Sequence, residues 1–326
     1  MNPIILSSAL ALVAAALPLT AHAQSVPGWR TDFSKHTVPL DEIVSGGPPK
    51  DGIPPIDRPK FVSVDQADRW LKGREPVVLL EIEDQVRIYP IQILMWHEIV
   101  NDQVGQTPVS ITFCPLCNTA LAFDRRLDDT VLDFGTTGRL RHSDLVMYDR
   151  QTESWWQQAS GEGIVGAYAG RMLTFVPAPL VSWSLAKGAH PDARVLSRDT
   201  GHSRNYGRNP YRHYDSQRSP IKQFFRGRSD GRLPAMERVV AFVQGDSSIA
   251  FPFSSLEKRR VANEDLNGIP VAVFWAEGTA SALDDQEIAQ GREVGATGVF
   301  DRRLDGETLT FEAAESGLFK DRQTNT

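Results

Sequence analysis

Between residues 75 and 176 the apolar positions come in short runs divided by turn residues, which is the pattern of strands rather than of long helices. Runs at 77–82, 86–89, 109–113, 121–123 and 131–134 predict strands, and 164–168 and 172–176 predict two more. One stretch, 91–100, reads as a helix. Pro90 stands at its start, and Asn101-Asp102 follow its end. Residues 24–60 are instead rich in Pro and Gly (Gly46-Gly47-Pro48-Pro49, Ile53-Pro54-Pro55) and read as an extended arm. The fold class this predicts is α+β, mainly β.

The pattern repeats. Shifted by 162 residues, 75–121 lies on 237–283 without a gap: Asp84 falls on Asp246, Pro90 on Pro252, Leu94 on Leu256, Asn101 on Asn263 and Pro108-Val109 on Pro270-Val271. After a 15-residue insertion the register resumes, with Phe123-Asp124-Arg125-Arg126-Leu127-Asp128 on Phe300-Asp301-Arg302-Arg303-Leu304-Asp305. The reading is two diverged copies of one β-rich unit, the first carrying a long insertion. The expected organisation is a leader at 1–23, the arm at 24–60, a first unit at 61–180, a loop-rich insertion at 181–231 and a second unit at 232–326. The second copy is short: Asp321-Arg322-Gln323-Thr324 echoes Asp149-Arg150-Gln151-Thr152, but no counterpart of Ser154-Trp155-Trp156 follows.

Composition narrows the classes. The net charge is −6, so no nucleic-acid footprint is expected, although Arg204, Arg208, Arg212, Arg218, Arg226 and Arg228 form a local basic cluster. Residues 4–17 are mostly apolar, and Ala21-His22-Ala23 fits the small-residue cleavage pattern of a secretory signal peptide. That predicts a periplasmic or secreted protein with no membrane span after cleavage.

Export sharpens the meaning of the two cysteines, Cys114 and Cys117. In an oxidising compartment a C-x-x-C pair is a metal knuckle, a redox couple or a disulfide, and all three remain open here. The metal reading adds His97. The pair turns two thiolates to one point, and an imidazole makes a Cys2His set suited to Zn or Cu, with one position open on a tetrahedral ion. His142 and Met147 are candidates for a fourth ligand. In the second copy His97 falls on Arg259, Cys114 on Ala276 and Cys117 on Thr279, so all three candidate ligands are missing together. The redox reading lacks a helix after Cys117 to lower a thiol's pKa. A deaminase-like reading, with Glu98 as acid/base, needs His97 and Glu98 on one face, yet neighbours on a helix point about 100° apart. Glu98 is therefore read as a solvated helix residue. Trp155 and Trp156 are read as the core and surface of one strand. The aromatic stretch 199–215 is read as either a lid or an ordered loop. A non-enzymatic binding module is the remaining alternative, with metal-delivery or small-molecule partners unassigned.

With these segments laid out, the chain resembles the DUF3179 family of uncharacterised exported bacterial proteins. The resemblance rests on Arg87-Ile88-Tyr89-Pro90, Trp96-His97-Glu98-Ile99-Val100-Asn101-Asp102, Phe113-Cys114-Pro115-Leu116-Cys117, Ser143-Asp144-Leu145-Val146-Met147-Tyr148-Asp149-Arg150 and Tyr206-Gly207-Arg208-Asn209-Pro210-Tyr211. It covers roughly residues 60–326 and implies no particular activity. Where the family usually has Gly after the second Cys, this chain has Asn118.

Overall fold

A computed structural model describes residues 26–216, 218–228, 230–245, 247–314 and 318–325. The proposed leader, 1–23, lies outside the described residues. Strands dominate and are divided among several small sheets, while the α-helices run five to seven residues.

Three sheets build the first half. A four-stranded antiparallel sheet runs in the order Thr174–Val176, Thr119–Asp124, Thr107–Cys114, Ile99–Val104. A five-stranded sheet orders Leu180–Ser182, Pro76–Ile82, Gln85–Pro90, Arg194–Leu196 and Phe61–Ser63. Its one parallel pair joins Arg194–Leu196 to Gln85–Pro90. The third sheet orders Ile43–Ser45, Phe134–Arg141, Asp144–Asp149, Trp155–Gln157 and Glu162–Val165.

Five expectations change. The helix covers only Ile91–His97. Glu98 takes a left-handed backbone, φ 58°, while its N–H still reaches the Leu94 carbonyl at 2.6 Å. The chain therefore turns, and Ile99 and Val100 open the next strand, opposite Thr112 and Ile111. The run 131–134 splits, because Val131 ends the short hairpin strand Thr130–Val131 and Phe134 begins a strand of another sheet. Between them Leu132 is fully buried.

The arm is not a loose extension. Ile43–Ser45 pairs with Phe134–Arg141, and Phe33, Val38 and Ile43 are buried. Trp29 and Phe33 each meet the Trp155 ring edge-on at 5.0 Å. Trp155 is consequently buried, and Trp156 is buried on the other side against Phe134 and Tyr168, where a core-and-surface pair was expected. Finally, residues 180–196 supply the helix Trp183–Ala189 and two strands that pair with Pro76–Ile82 and Gln85–Pro90, so the loop-rich character begins only after Leu196.

The second half repeats this order of elements. Gln85–Pro90, Ile91–His97, Ile99–Val104 and Thr107–Cys114 have equal-length counterparts in Ser247–Pro252, Phe253–Arg259, Val261–Leu266 and Ile269–Ala276. Specific bonds recur as well. Asn101 pairs through its side chain with the Phe134 backbone at 2.8 and 3.0 Å, and Asn263 does the same with Phe311 at 2.8 and 2.9 Å. Arg125 donates to the Leu132 carbonyl at 2.9 Å and Arg302 to that of Leu309 at 2.7 Å. One apolar cluster joins the halves, with Ala282, Leu283 and Ile288 packed among residues such as Tyr89, Ile91 and Leu94. Burying such side chains stabilises each by about 1.5–3 kcal/mol.

Candidate metal centre

The strand Thr107–Cys114 delivers Cys114 into the interior, 1% exposed, and Cys117 sits in the turn that leads to Thr119–Asp124. Asn118 closes that turn at φ 51°, a conformation that favours Gly and that Asn tolerates better than most other residues. Its backbone N–H meets the Pro115 carbonyl at 3.3 Å. Both cysteines are free thiols.

The third member is Asp144, 5% exposed, at the start of the strand Asp144–Asp149. The Cys117 thiol donates to Asp144 Oδ1 at 3.0 Å, and the Ala159 N–H and the Gln157 amide donate to Oδ2, the former at 2.9 Å. The Cys114 thiol faces the Ser143 carbonyl at 3.5 Å. One ligand atom from each of Cys114, Cys117 and Asp144 lies within 4.8 Å of the others, a grouping able to hold a metal ion.

His97 does not join this group. Its Nδ1 is 2.7 Å from the Pro54 carbonyl and its Nε2 is 2.7 Å from the Tyr206 hydroxyl, which in turn bonds Thr200 at 2.6 Å. A neutral ring with Nδ1–H donating to Pro54 and Nε2 accepting from Tyr206 satisfies both contacts. Burial lowers its pKa to about 4, outweighing the Pro54 bond, which acts in the opposite direction. The proposed fourth ligands also lie elsewhere. His142 Nε2 is 3.3 Å from Glu42, and Met147 is buried in the apolar cluster with Leu145 and Trp156.

Glu98, read from sequence as solvated, is 7% exposed. Its side chain makes no hydrogen bond or ion pair among the described residues. Burial, reinforced by the Asp144 charge, raises its pKa to about 8. Burial likewise raises Asp144, with the bonds from Ala159, Cys117 and Gln157 pulling back. Cys117 is pushed well above the usual thiol range, first by burial and then by Cys114 and Asp144. No basic side chain is among the principal influences on these three groups.

The aromatic stretch packs through Tyr206, Tyr211 and Tyr214 into the apolar cluster that holds Phe113 and Leu116. The Tyr211 phenol is influenced by Glu98 and Cys114, and that of Tyr214 by both thiols. The second unit pins this segment: the N–H groups of Asn209, His213 and Tyr214 donate to the carbonyls of Gln286, Asp284 and Leu283 at 2.8–3.0 Å. Arg238 reaches further. It bonds Asp215 and Ser281 at 2.9 Å, and with the Asn118 amide turned to present its oxygen, Arg238 donates to it at 2.7 and 3.1 Å. The turn carrying Cys117 is thus tied to the second unit.

One sequence signal for Asp144 existed, an acid heading the apolar run Leu145-Val146-Met147-Tyr148. Glu98 had none, because its placement depends on the left-handed turn.

No helix among the described residues is long and apolar enough to cross a membrane. Comparison with curated proteins and with solved structures finds no match. Residues 50–325 match the family described as a protein of unknown function, DUF3179, and the protein belongs to that family.

Proposed function

We propose that this is an exported metal-binding protein whose ion is held by the thiolates of Cys114 and Cys117 and the carboxylate of Asp144. The observation that carries the reading is an unbalanced charge. Two thiols and the Asp144 carboxyl form one buried group, the Glu98 carboxyl lies within electrostatic range of Asp144, and neither carboxyl makes an ion pair among the described residues. Buried ionisable groups are paired, neutralised or bound to a metal. Raised pKa values describe the neutralised state, and a divalent cation would bring the same groups back to their charged forms.

A carboxylate beside two thiolates favours zinc over copper(I), which selects softer partners. Three protein ligands leave a fourth position open, as in catalytic zinc sites, so a metalloenzyme is consistent with the donor set. The redox alternative has less support. Its nucleophile would be a thiolate, yet the Cys117 thiol is held protonated, and a strand rather than a helix follows it.

We also read the two halves as copies of one unit, on the strength of their common register and recurring side-chain bonds. Residues 1–23 are read as the export signal, which places the mature protein in the periplasm or outside the cell.

Elemental analysis of protein purified from the periplasm, with a free-thiol count, tests the reading. About one zinc per chain is expected, lost in Cys114→Ser and Asp144→Asn. Metal-free protein with a Cys114–Cys117 disulfide would reject the site in favour of the redox couple.

A further inference from the structure

We propose that the chain carries a second ligand site, separate from the metal centre and independent of the metal reading, for a small organic anion that also bears a hydroxyl group.

A cavity of about 490 Å³ opens between the arm and the aromatic stretch, and its walls include Asp57, Arg58, Lys60, Asp199, Thr200 and His202. That volume falls in the range of small-molecule sites, about 300–1,000 Å³. Most of the charge on the walls is already paired. Asp57 accepts from Arg150 and from the Asn101 amide, both at 2.8 Å, and Lys60 meets Asp199 at 2.7 Å. Arg58 makes no hydrogen bond or ion pair among the described residues, so the charge left over is positive. The His202 ring has no hydrogen bond among the described residues either, and it offers a donor whether neutral or protonated. An anionic group on the ligand answers both side chains.

The hydroxyl requirement follows from a chain of hydrogen bonds whose direction is fixed at its buried end. The Pro54 carbonyl can only accept, so His97 Nδ1, 2.7 Å away, carries the proton of the neutral ring. Nε2 is then an acceptor, and the Tyr206 hydroxyl at 2.7 Å donates to it. Tyr206 has one proton and has used it. The 2.6 Å bond between Tyr206 and Thr200 therefore takes its proton from Thr200. His97 is fully buried and burial lowers its pKa to about 4, so near neutral pH the ring holds this direction.

Thr200 thus lines the cavity with no proton to give. Its hydroxyl oxygen has two lone pairs, and the His202 N–H takes one of them at 3.3 Å. The other remains for a ligand. An anion without a donor would set its own lone pairs against this oxygen, whereas a ligand hydroxyl supplies the missing proton. The leftover positive charge and the acceptor-only Thr200 together define the ligand's chemistry.

Malate and succinate make the test, because they carry the same two carboxylates and differ by one hydroxyl. Titration calorimetry of the purified protein at about pH 7 is expected to show malate binding about tenfold more tightly than succinate. Arg58→Ala should weaken both by about tenfold. Thr200→Val removes the acceptor and should bring malate down to the succinate value, with succinate binding retained as proof that the cavity still forms. Tyr206→Phe frees the Thr200 proton and should narrow the preference for malate by strengthening succinate. No binding of either anion at about 10 mM, equal affinities in the wild type, unchanged affinities in Arg58→Ala, or a malate preference that survives Thr200→Val would overturn the inference.

Discussion

Replacing Glu98 by glutamine puts the charge argument to its hardest test, on protein stripped of metal. Burial and the Asp144 charge raise the Glu98 pKa from 4.5 to about 8. The folded protein therefore binds this proton more tightly than the unfolded chain does. The resulting stability is complete below the unfolded value of 4.5 and is lost as pH rises through about 8. At about 1.36 kcal/mol per unit the ceiling is about 5 kcal/mol, and water entering around the carboxylate would leave roughly 2–3 kcal/mol. The glutamine side chain has the same shape and no charge to acquire. The other groups of the site are present in both proteins, so the difference between them reports Glu98 together with its coupling to Asp144. Urea unfolding of chelator-treated wild type and Glu98→Gln at about pH 5 and about pH 9 is the assay. Stabilities are expected to agree within about 1 kcal/mol at the lower pH, and the variant should be more stable by roughly 2–3 kcal/mol at the higher. A metal-free wild type as stable as the variant at about pH 9 would refute the claim that this carboxyl is buried without a partner.

Three further changes bear on the site. Asp144→Asn keeps the side-chain shape but removes the anionic ligand and weakens the acceptor for the Cys117 thiol. Its zinc dissociation constant, measured against a chromophoric chelator, should rise by about 100-fold or more. Arg238→Met releases Asn118 and strips a partner from Asp215. Zinc affinity should fall about tenfold, and the melting temperature should fall too, with Arg238→Lys recovering more of the stability than of the affinity. His97→Gln should leave zinc stoichiometry unchanged while costing about 1–3 kcal/mol of stability through its lost bonds to Pro54 and Tyr206. Because burial depresses the His97 pKa to about 4, the stability tied to its neutral form is present above 6.5 and is lost as pH falls through about 4. Loss of zinc in that variant would return the imidazole to the ligand set.

Much of the scaffold was legible because it is written in local pattern. Alternating runs and turn residues located the strands around Val77, Val86, Val109 and Leu121 to within two residues. The two cysteines were legible as a centre because C-x-x-C spacing brings the thiols together in almost any turn. What failed was direction. The helical-geometry reading of His97 and Glu98 assumed a continuous helix, but the helix stops at His97 and Glu98 is left-handed, a turn that leaves no signal in the sequence. His97 instead turns toward Pro54 and Tyr206. The candidates for a fourth ligand in the stretch 141–147 were His142 and Met147. Their positions around the turn at Ser143 decide otherwise: His142 is drawn to Glu42, and Met147 fills the core. The arm misled for a different reason. Pro and Gly do mark irregular backbone, but irregular backbone still buries side chains, and Phe33 and Ile43 do so here.

The second half of the chain, without the thiols, supports the first. Its carbonyls at Leu283, Asp284 and Gln286 hold the tyrosine-bearing segment in place. Its Arg238, with Ser281 and Arg292, converges on Asp215 at the end of that same segment. Arg238 also reaches the residue directly after Cys117. A C-x-x-C turn at the end of a strand has little of its own to fix two sulfurs relative to a carboxylate on another sheet, and affinity for an ion falls steeply when donor positions are left to fluctuate. The Arg238 contacts supply that restraint from outside the unit that holds the donors. The candidate centre is thus composite: the first half contributes the donors, and the second half restrains the turn that carries one of them.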